Sequence, residues 1–419
     1  MNPSRKPRVL LVLHNGGGPV ELHTRSLAEG VKDDIEQFML KPDDQMLELW
    51  KHQNEQWEIV QRWERDRSWD IRRARDPQIK AVTEQVLRER NIDLVHVQHL
   101  RGHTLDVLEV PRSLGVPVVL SVHDHYLACP SYQLLDQSWQ QCRGTCTPGE
   151  GSCQLGTWFD GSVPLKHRFV HLWRRENASA LAGVDRIVVP DPVTDAQLRE
   201  VYPDLDRIEV AATTYDTGRP RVVCRFPAGD EPVRLVALGG LPATRGLGAI
   251  YAALGAADGQ LTVDVLGELG SAVMSRHTYE AGQPYLRRHG DVDRAQLAPT
   301  LASIRPTFAV VWPMWDDPSA QGVIDAWAHG IPVVVPDRGA PAVLVREYGG
   351  GVVVDADPTR NDGALLAEAA LHYGRNRSAY DRLAARASVP APYWPAAAAA
   401  AWVERYQRLI EASSMATIT

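Results

Sequence analysis

Two doubly wound α/β domains are the fold that this sequence predicts, on the strength of three observations. The chain of 419 residues is too long for one ordinary core and suits two domains of about 200 residues each. Short apolar, β-branched runs alternate with helix-length segments, and they do so in two series. Continuous apolar runs of this kind are typical of parallel strands that helices cover on both faces. The two series therefore predict two parallel sheets that face each other.

Each series supplies five predicted strands. They cover residues 9–13, 93–97, 116–122, 186–189 and 208–210, then 234–238, 261–266, 308–311, 333–335 and 352–354. Turn-forming residues in 212–232 predict a hinge, so the predicted domains are 1–215 and 232–395.

The end of the chain, 396–419, predicts a helix that packs back toward the N-terminal domain. Its apolar residues follow the i, i+4, i+7, i+8 spacing of an amphipathic helix: Trp402, Tyr406, Leu409 and Ile410.

Residues 43 to 90 depart from the alternation and predict charged helix. Met46, Trp50, Trp57 and Val60 share one helical face. We expect an ordinary helix that covers the first domain. A membrane-surface helix is the alternative, because tryptophans favour interfaces and arginines crowd residues 62–75, but the mixed signs of charge argue against it.

The composition argues against two classes of protein. A net charge of −7 argues against nucleic acid as the main partner, because phosphate backbones attract basic proteins. The apolar stretch at 9–13 is too short for the core of a signal peptide, and no later run approaches the length that spans a bilayer. We therefore expect a cytoplasmic protein with no transmembrane segment, for which peripheral contact with a membrane stays open.

Glycines follow the first predicted strand, and ligands of doubly wound sheets bind at such strand ends. Gly16 and Gly17, within His-Asn-Gly-Gly-Gly-Pro, let the backbone approach a ligand and lead into a helix whose N-terminus attracts anions. A tight strand-to-helix turn is the alternative.

The strongest sign of a binding site in the sequence is a pair of aspartates eight positions apart, Asp317 and Asp325. At about 1.5 Å per residue along a helix they lie roughly 12 Å apart, which suits the two ends of a polyhydroxylated ligand. The helix start between them, with free N–H groups near Ser319 and Ala320, suits a diphosphate. The alternative is that Asp317 caps the helix and that Asp325 is solvated.

The run 312–334 resembles the C-terminal motif of glycosyltransferase family 4, whose members are retaining enzymes of the GT-B fold. There, two glutamates stand eight positions apart before Ala-Met-Ala-x-Gly-x-Pro-Val-Val; here both are aspartates and the tail reads Ala-Trp-Ala-His-Gly-Ile-Pro-Val-Val. The resemblance implies that Asp317 contacts the donor sugar and Asp325 the ribose. It also implies that the amides of Ser319 and Ala320 meet the distal phosphate, and Gln321 is expected among the donor-binding residues.

Other segments agree with the family in the same order. The stretch with His123 resembles the segment whose histidine touches the donor sugar, and the one with Gly290 resembles the loop that meets the base. Arg245 stands in for the lysine that binds the diphosphate, but the family arginine falls on Gly240. One diphosphate cation is therefore missing, and Arg338 or Arg305 is a possible replacement.

The resemblance further implies a mechanism without a strong base, in which the leaving phosphate oxygen helps to deprotonate the acceptor hydroxyl. Catalysis then rests on stabilising the departing diphosphate and on orienting the acceptor, and it needs no cofactor. The catalytic residues are expected to be His123, Asp317 and Arg245, with a buried structural histidine as the alternative for His123.

Four cysteines lie within 25 residues in a Pro/Gly/Ser-rich loop, and they predict a structural zinc site. They are Cys129, Cys142, Cys146 and Cys153, spaced C-x12-C-x3-C-x6-C. Because C-x2-C pairs are missing, disulfides or unpaired cysteines are the alternatives.

Together these features predict a retaining hexosyltransferase that uses a nucleotide-diphosphate sugar. Its acceptor is a polysaccharide, a glycolipid or a small molecule. The alternative is a catalytically silent protein of the same fold that binds sugar nucleotides, which the missing arginine favours.

Overall fold

The computed structural model describes residues 5–43, 45–136, 141–142, 144, 146, 167–214, 221–222, 224–270, 274–356 and 363–416. The strands are β1 (Arg8–Val12), β2 (Glu36–Asp43), β3 (Met46–Gln53), β4 (Gln56–Glu64), β5 (Leu94–Val97), β6 (Val118–Ser121), β7 (Arg186–Val189), β8 (Ile208–Val210), β9 (Val233–Leu238), β10 (Leu261–Leu266), β11 (Leu286–Arg288), β12 (Phe308–Val310), β13 (Val333–Pro336) and β14 (Gly351–Val354). The helices are α1 (Gly18–Val31), α2 (Pro77–Glu89), α3 (Asp106–Ser113), α4 (His167–Leu181), α5 (Pro192–Val201), α6 (Leu247–Ala257), α7 (Arg276–Gly282), α8 (Arg294–Ile304), α9 (Gln321–Ala328), α10 (Gly339–Tyr348), α11 (Gly363–Arg375), α12 (Arg377–Arg386) and α13 (Pro395–Ala416).

The strands form two sheets, as the sequence predicts. One has eight strands in the order β4-β3-β2-β1-β5-β6-β7-β8, and the other has six in the order β11-β10-β9-β12-β13-β14. The pairings are parallel except where β3 pairs with β2 and β4. All ten predicted strands are present. The strand order reverses between β1 and β5 and between β9 and β12, so these two points are where a doubly wound sheet binds ligands.

The prediction of helix for residues 43 to 90 is wrong over its first half. Residues 46–64 form the antiparallel strands β3 and β4, and helix begins only at Pro77. Along β4 exposed and half-buried residues alternate strictly, with Trp57 and Trp63 on half-buried positions. Over so short a window the tryptophans fit a period of two as well as a period of 3.6, and pairing with β2 decides between them. The membrane-surface helix proposed for this segment is therefore absent.

Helix α13 packs on the first sheet rather than on the second. Trp402, Tyr406 and Ile410 are buried in the same apolar cluster as Val9 and Leu11 of β1. The Tyr406 hydroxyl also bonds to Nδ1 of His96 at 2.7 Å, inside the sheet. The last element of the chain thus crosses back and ties the two halves together. Of the segment 212–232, residues 215–220 and 223 lie outside the described part.

Candidate functional site

A cavity of about 430 Å³ lies where the switch points of the two sheets meet, and we call it the central cavity. The first sheet contributes Gly18, Pro19 and Leu22, at the start of α1. The second sheet contributes the ends of β9, β10 and β12 and the starts of α8 and α9. These residues are Ala237, Leu238, Gly239, Gly240, Leu241, Arg245, Leu266, Asp291, Val292, Arg294, Leu297, Val310, Val311, Trp312, Pro313, Asp317, Ser319, Gln321, Gly322 and Asp325.

The two aspartates of the predicted motif, Asp317 and Asp325, both line the central cavity. The loop that carries Asp317 is held tightly from behind. The amide of Ala340 donates to the carbonyl of Asp317 at 2.9 Å, and Gly339 stands so close that a Cβ there would lie 2.6 Å from the Asp317 nitrogen. Gly339 also has a φ of +59°, so a larger residue would both strain its own backbone and displace the aspartate.

The expected phosphate contacts at the start of α9 need one correction. The amide of Ser319 donates to Oδ1 of Asp317 at 2.9 Å, so Asp317 does cap this turn. Ala320 is buried, takes a left-handed φ of 43° and does not line the cavity. The helix starts at Gln321, so its N-terminus meets the cavity at Gln321 and Gly322.

Two arginines line the central cavity, Arg245 and Arg294. Arg245 ends a single 3-10 turn and reaches back to the carbonyl of Gly240 at 3.3 Å, the position of the missing family arginine. Arg294 begins α8 and is exposed. The segment 234–395 contains no lysine, so arginine must supply any cation there.

The replacements for the missing cation that the sequence suggested, Arg338 and Arg305, do not line the cavity. Arg338 is buried and donates to the carbonyl of Met314 at 2.9 Å, which supports the loop before Asp317. Arg294 is thus a residue that the sequence reasoning missed, because an arginine at a helix start carries no distinctive signal.

Other predicted site residues lie beside the central cavity rather than on it. Gly18 lines it, whereas Gly16 and Gly17 do not. Gly290 likewise stands one residue before the lining pair Asp291–Val292. The His123 ring is outside the lining: its Nε2 donates to Oε1 of Gln98 at 2.8 Å.

Burial near the cleft suppresses the charge of several histidines. The pKa of His123 is lowered well below its ordinary value, by burial and then by the neighbouring His23. Burial also lowers the pKa of His23 to about 4, and the pKa of His14 falls to about 3 through burial and the proximity of His99. These rings are therefore neutral at pH 7.

A carboxylate–imidazole pair stands at the carboxyl ends of β5 and β6. Nδ1 of His99 accepts from the amide of Arg101 at 2.9 Å, so a ring proton is on Nε2, which donates to Oδ2 of Asp124 at 3.1 Å. Burial raises the pKa of Asp124. The interactions of its carboxylate with His99 and with the amide of Tyr126 lower that pKa by more, so the pKa of Asp124 lies below its ordinary value. The ring of His14 meets His99 edge-on, with centroids 4.8 Å apart.

The loop after β6 reaches across to the second sheet beside Asp317. His125 donates to the carbonyl of Asp316 at 2.8 Å, and its ring meets Trp315 edge-on. Gln141 bonds twice to Asp316, once to the amide at 2.9 Å and once to Oδ2 at 2.7 Å. No sequence pattern indicates these contacts, because the residues involved are 175 positions or more apart.

Three of the four clustered cysteines lie in the described part of the chain, and Cys153 lies outside it. Cys129, Cys142 and Cys146 lie in one small apolar cluster. Burial raises the pKa of Cys129 to about 12 and that of Cys146 as well. Among the described residues, no group of three or more His, Cys, Asp or Glu is arranged to hold a metal ion.

No helix in the ranges that the structure describes is long and apolar enough to cross a membrane.

A protein-family model matches part of this chain. Residues 20–219 match the model of Glycosyltransferase Family 4, which confirms the resemblance over the first sheet; the motif at 312–334 lies outside the match. Comparison with curated proteins gave no match.

Solved structures of GT-B glycosyltransferases share the whole architecture. Anabaena HepE in complex with UDP is 12% identical with a TM-score of 0.63, and the match covers 96% of this chain and 100% of that one. Sucrose-phosphate synthase from Thermosynechococcus elongatus is 15% identical with a TM-score of 0.61 and coverage of 99% and 97%. The pneumococcal O-GlcNAc transferase GtfA in complex with UDP and GlcNAc is 10% identical with a TM-score of 0.57 and coverage of 98% and 99%. The fold is GT-B.

Proposed function

We propose that the chain is a retaining glycosyltransferase that moves a sugar, expected to be a hexose, from a nucleotide-diphosphate sugar to an acceptor hydroxyl. The match of residues 20–219 to the model of Glycosyltransferase Family 4 supports this proposal. One observation carries the proposal. Asp317, Asp325 and Arg245, which are expected to bind the sugar, the ribose and the diphosphate, line the same cavity, and the start of α1 in the first sheet's domain also lines it. The structures of HepE and GtfA, both in complex with UDP, support the choice of donor. We place the reaction in the cytoplasm.

The donor would lie along the start of α9. Asp325 accepts hydrogen bonds from the ribose, and Asp317 accepts from hydroxyls of the sugar, each as a charged acceptor. Between them the N-terminus of α9 at Gln321 and Gly322 faces the diphosphate with its positive end. This order follows the positions of the three groups along the chain.

Loss of the diphosphate is the step that the site must assist. In a front-face transfer the bond from the sugar to the phosphate oxygen breaks, the acceptor oxygen bonds to the same carbon, and the acceptor proton passes to the departing phosphate. Arg245 and Arg294 stabilise the charge that develops on that phosphate. His123 is proposed to contact the sugar by the family resemblance alone, since its ring is outside the lining.

Exchange of Asp325 for asparagine should test the donor site directly. We expect the affinity for free nucleoside diphosphate to fall about tenfold, because a charged acceptor of the ribose hydroxyls becomes a neutral one. The measurement is a thermal-shift panel of UDP-, GDP-, ADP- and dTDP-sugars, followed by titration calorimetry with the diphosphate that stabilises the protein. Unchanged affinity would place the ribose elsewhere.

The two arginines should act on the diphosphate and not on the nucleoside. We expect Arg245→Ala and Arg294→Ala each to weaken nucleoside diphosphate binding roughly 10- to 100-fold, the scale of a charge-assisted contact, with little change for the nucleoside. Arg288→Ala is the matched control, since Arg288 is exposed nearby on β11 and does not line the cavity. If Arg294→Ala behaved like the control, another group would hold the missing charge.

A catalytically silent sugar-nucleotide binder is the second candidate, and one observation favours it: Gly240 replaces the family arginine. Both candidates bind the donor. An active transferase should release nucleoside diphosphate from the donor, with water or an added alcohol as acceptor, whereas a silent binder should release none.

We also propose that the four cysteines hold a structural zinc. Cys129, Cys142 and Cys146 pack in one cluster, and metal binding would have to draw their sulfurs into a ligand set that they do not form as they stand. Because thiolates bind the metal, zinc would displace the protons that burial otherwise holds on these thiols. Purified protein should then carry about one zinc per chain, the number that four thiolates bind. A chelator should lower the melting temperature without abolishing donor binding. Metal-free protein with four titratable thiols and the same melting temperature would leave the cysteines as ordinary packing residues.

A further inference from the structure

Asp316, the residue before Asp317, is bonded to the N-terminal half of the molecule through its amide, its carbonyl and its carboxylate. His125 donates to the carbonyl at 2.8 Å. Gln141 accepts from the amide at 2.9 Å and donates to Oδ2 at 2.7 Å. All three bonds come from the loop after β6, and we call the pair of His125 and Gln141 the clamp.

The loop that carries the clamp is itself held by packing. His125 is only 4% exposed, and its ring packs edge-on against Trp315 with centroids 5.6 Å apart. Gln141 forms an antiparallel bridge with Leu135, a buried residue of the same loop. A functional side chain is held precisely only when its supports are themselves fixed in this way. The clamp therefore gives Asp316 a defined position relative to the N-terminal half.

The peptide that joins Asp316 to Asp317 is held from both halves of the molecule. From the C-terminal half, the amide of Ala340 donates to the carbonyl of Asp317 at 2.9 Å, and a Cβ on Gly339 would lie 2.9 Å from the carbonyl carbon of Asp316. The clamp holds the same peptide from the other side. Oδ1 of Asp317 accepts from the amide of Ser319, so Oδ2 is the oxygen that would accept from a sugar hydroxyl. The direction of that oxygen depends on the backbone that the clamp fixes.

The diphosphate side of the site has supports of its own. Met314, three residues before Asp317, donates to the carbonyl of Thr244 at 2.9 Å, and its carbonyl accepts from Arg338 at 2.9 Å. Both bonds lie within the C-terminal half, and Arg245 directly follows Thr244. Loss of the clamp should therefore disturb Asp317 and leave Arg245 in place.

We propose that Gln141 is a positioning residue for the transfer: it holds Asp316 so that Asp317 stands where the sugar of the donor binds. This inference rests on the proposed function and adds a contact between the two halves on which the orientation of the sugar depends. An amide suits position 141 because it donates to the carboxylate of Asp316 and accepts from its N–H at once. A carboxylate there would face a second carboxylate, and like charges at this distance repel.

Reversal of the hydrogen bond between Gln141 and Asp316 tests the proposal in the full-length protein. In Gln141→Glu we expect kcat for release of nucleoside diphosphate from the donor to fall about 10- to 100-fold, the scale of a misplaced catalytic group. Asp316→Asn alone should stay within about twofold of wild type, since an asparagine oxygen still accepts from Gln141. In the double variant the asparagine amide donates to the glutamate, so kcat should return to within about threefold of wild type.

A positioning role also separates kcat from nucleotide binding. Gln141→Glu should bind free nucleoside diphosphate within about twofold of wild type, because the residues proposed for the ribose and the diphosphate are unchanged. Gln407→Glu is the matched control, since it makes the same change at an exposed position on α13 and should behave as wild type. In a protein that binds the donor without turnover, the affinity that the sugar adds over free diphosphate takes the place of kcat in this comparison.

Failure of the clamp and failure of the proposed function give different results. If the wild type turns over a donor but Gln141→Glu matches the control, the clamp does not position Asp317 and the transferase stands. A fall in kcat with an equal fall in diphosphate affinity, or one that Asp316→Asn does not reverse, would also overturn the inference, because the contact would then only join the two halves. If the wild type binds no nucleotide sugar, the proposed function fails and this inference fails with it.

Discussion

Acidification from pH 7.5 to pH 5 should cost this protein several kcal/mol of unfolding free energy. Burial lowers the pKa of His14 to about 3 and the pKa values of His23 and His103 to about 4, whereas each titrates near 6.5 in an unfolded chain. Between these values the unfolded chain binds protons that the folded protein does not, so stability is complete above pH 6.5 and is lost as the pH falls. Each ring contributes about 2 kcal/mol over this range, hence about 6 kcal/mol for the three.

That loss is comparable to the whole stability of many domains, roughly 5–15 kcal/mol. Burial also lowers the pKa values of His96 and His123, which acts in the same direction. The measurement is the urea midpoint as a function of pH, with proton uptake on unfolding at pH 5. His23→Gln should reduce that uptake by about one proton. Replacement of the exposed His277 by glutamine is the matched control. Stability that did not change between pH 7.5 and 5 would show that these rings are solvated or charged in the native state.

Exchange of Asp317 for alanine should reduce turnover about 100-fold, equivalent to about 2.7 kcal/mol of transition-state stabilisation. The side chain lines the central cavity, and by the family resemblance it contacts the donor sugar. It also caps the turn through the amide of Ser319 at 2.9 Å. Alanine removes both interactions, so on its own it would not separate a catalytic role from a structural one.

Asp317→Asn separates the two roles. An asparagine oxygen still accepts from the amide of Ser319, so the loop and the melting temperature should be retained while turnover falls nearly as far as in the alanine variant. The kinetic signature is a lower kcat with affinity for free nucleoside diphosphate within about twofold of wild type, because the lost contact is to the sugar. An asparagine variant with normal turnover would show that Asp317 acts only as a cap.

Much of the fold could be predicted because it depends on local pattern. Each of the ten predicted strands is a short apolar run, and burial on both faces of a parallel sheet requires such a run whatever its neighbours are. The antiparallel strands β3 and β4 could not be predicted in this way. Their tryptophans fit helix and strand equally, and only the pairing of Leu47 and Leu49 with β2 and β4 resolves the choice. The same applies to β11, whose three residues are too few to show a period.

In the candidate site, too, some features could be predicted from local sequence and others depend on tertiary packing. The spacing of Asp317 and Asp325 is a property of one loop and one helix, so the sequence by itself determined that both would stand at the carboxyl end of a strand in the second sheet. The tertiary structure alone decided that Arg294, and neither Arg338 nor Arg305, shares their cavity, since this depends on how α8 and α10 pack. It alone decided that Gly18 lines that cavity in place of Gly16 and Gly17. The contacts of His125 and Gln141 with Asp316 likewise join residues distant in the chain. The physical reason is that periodicity and spacing report only forces between near neighbours, whereas cavities and hydrogen bonds across a cleft are set by the packing of whole sheets.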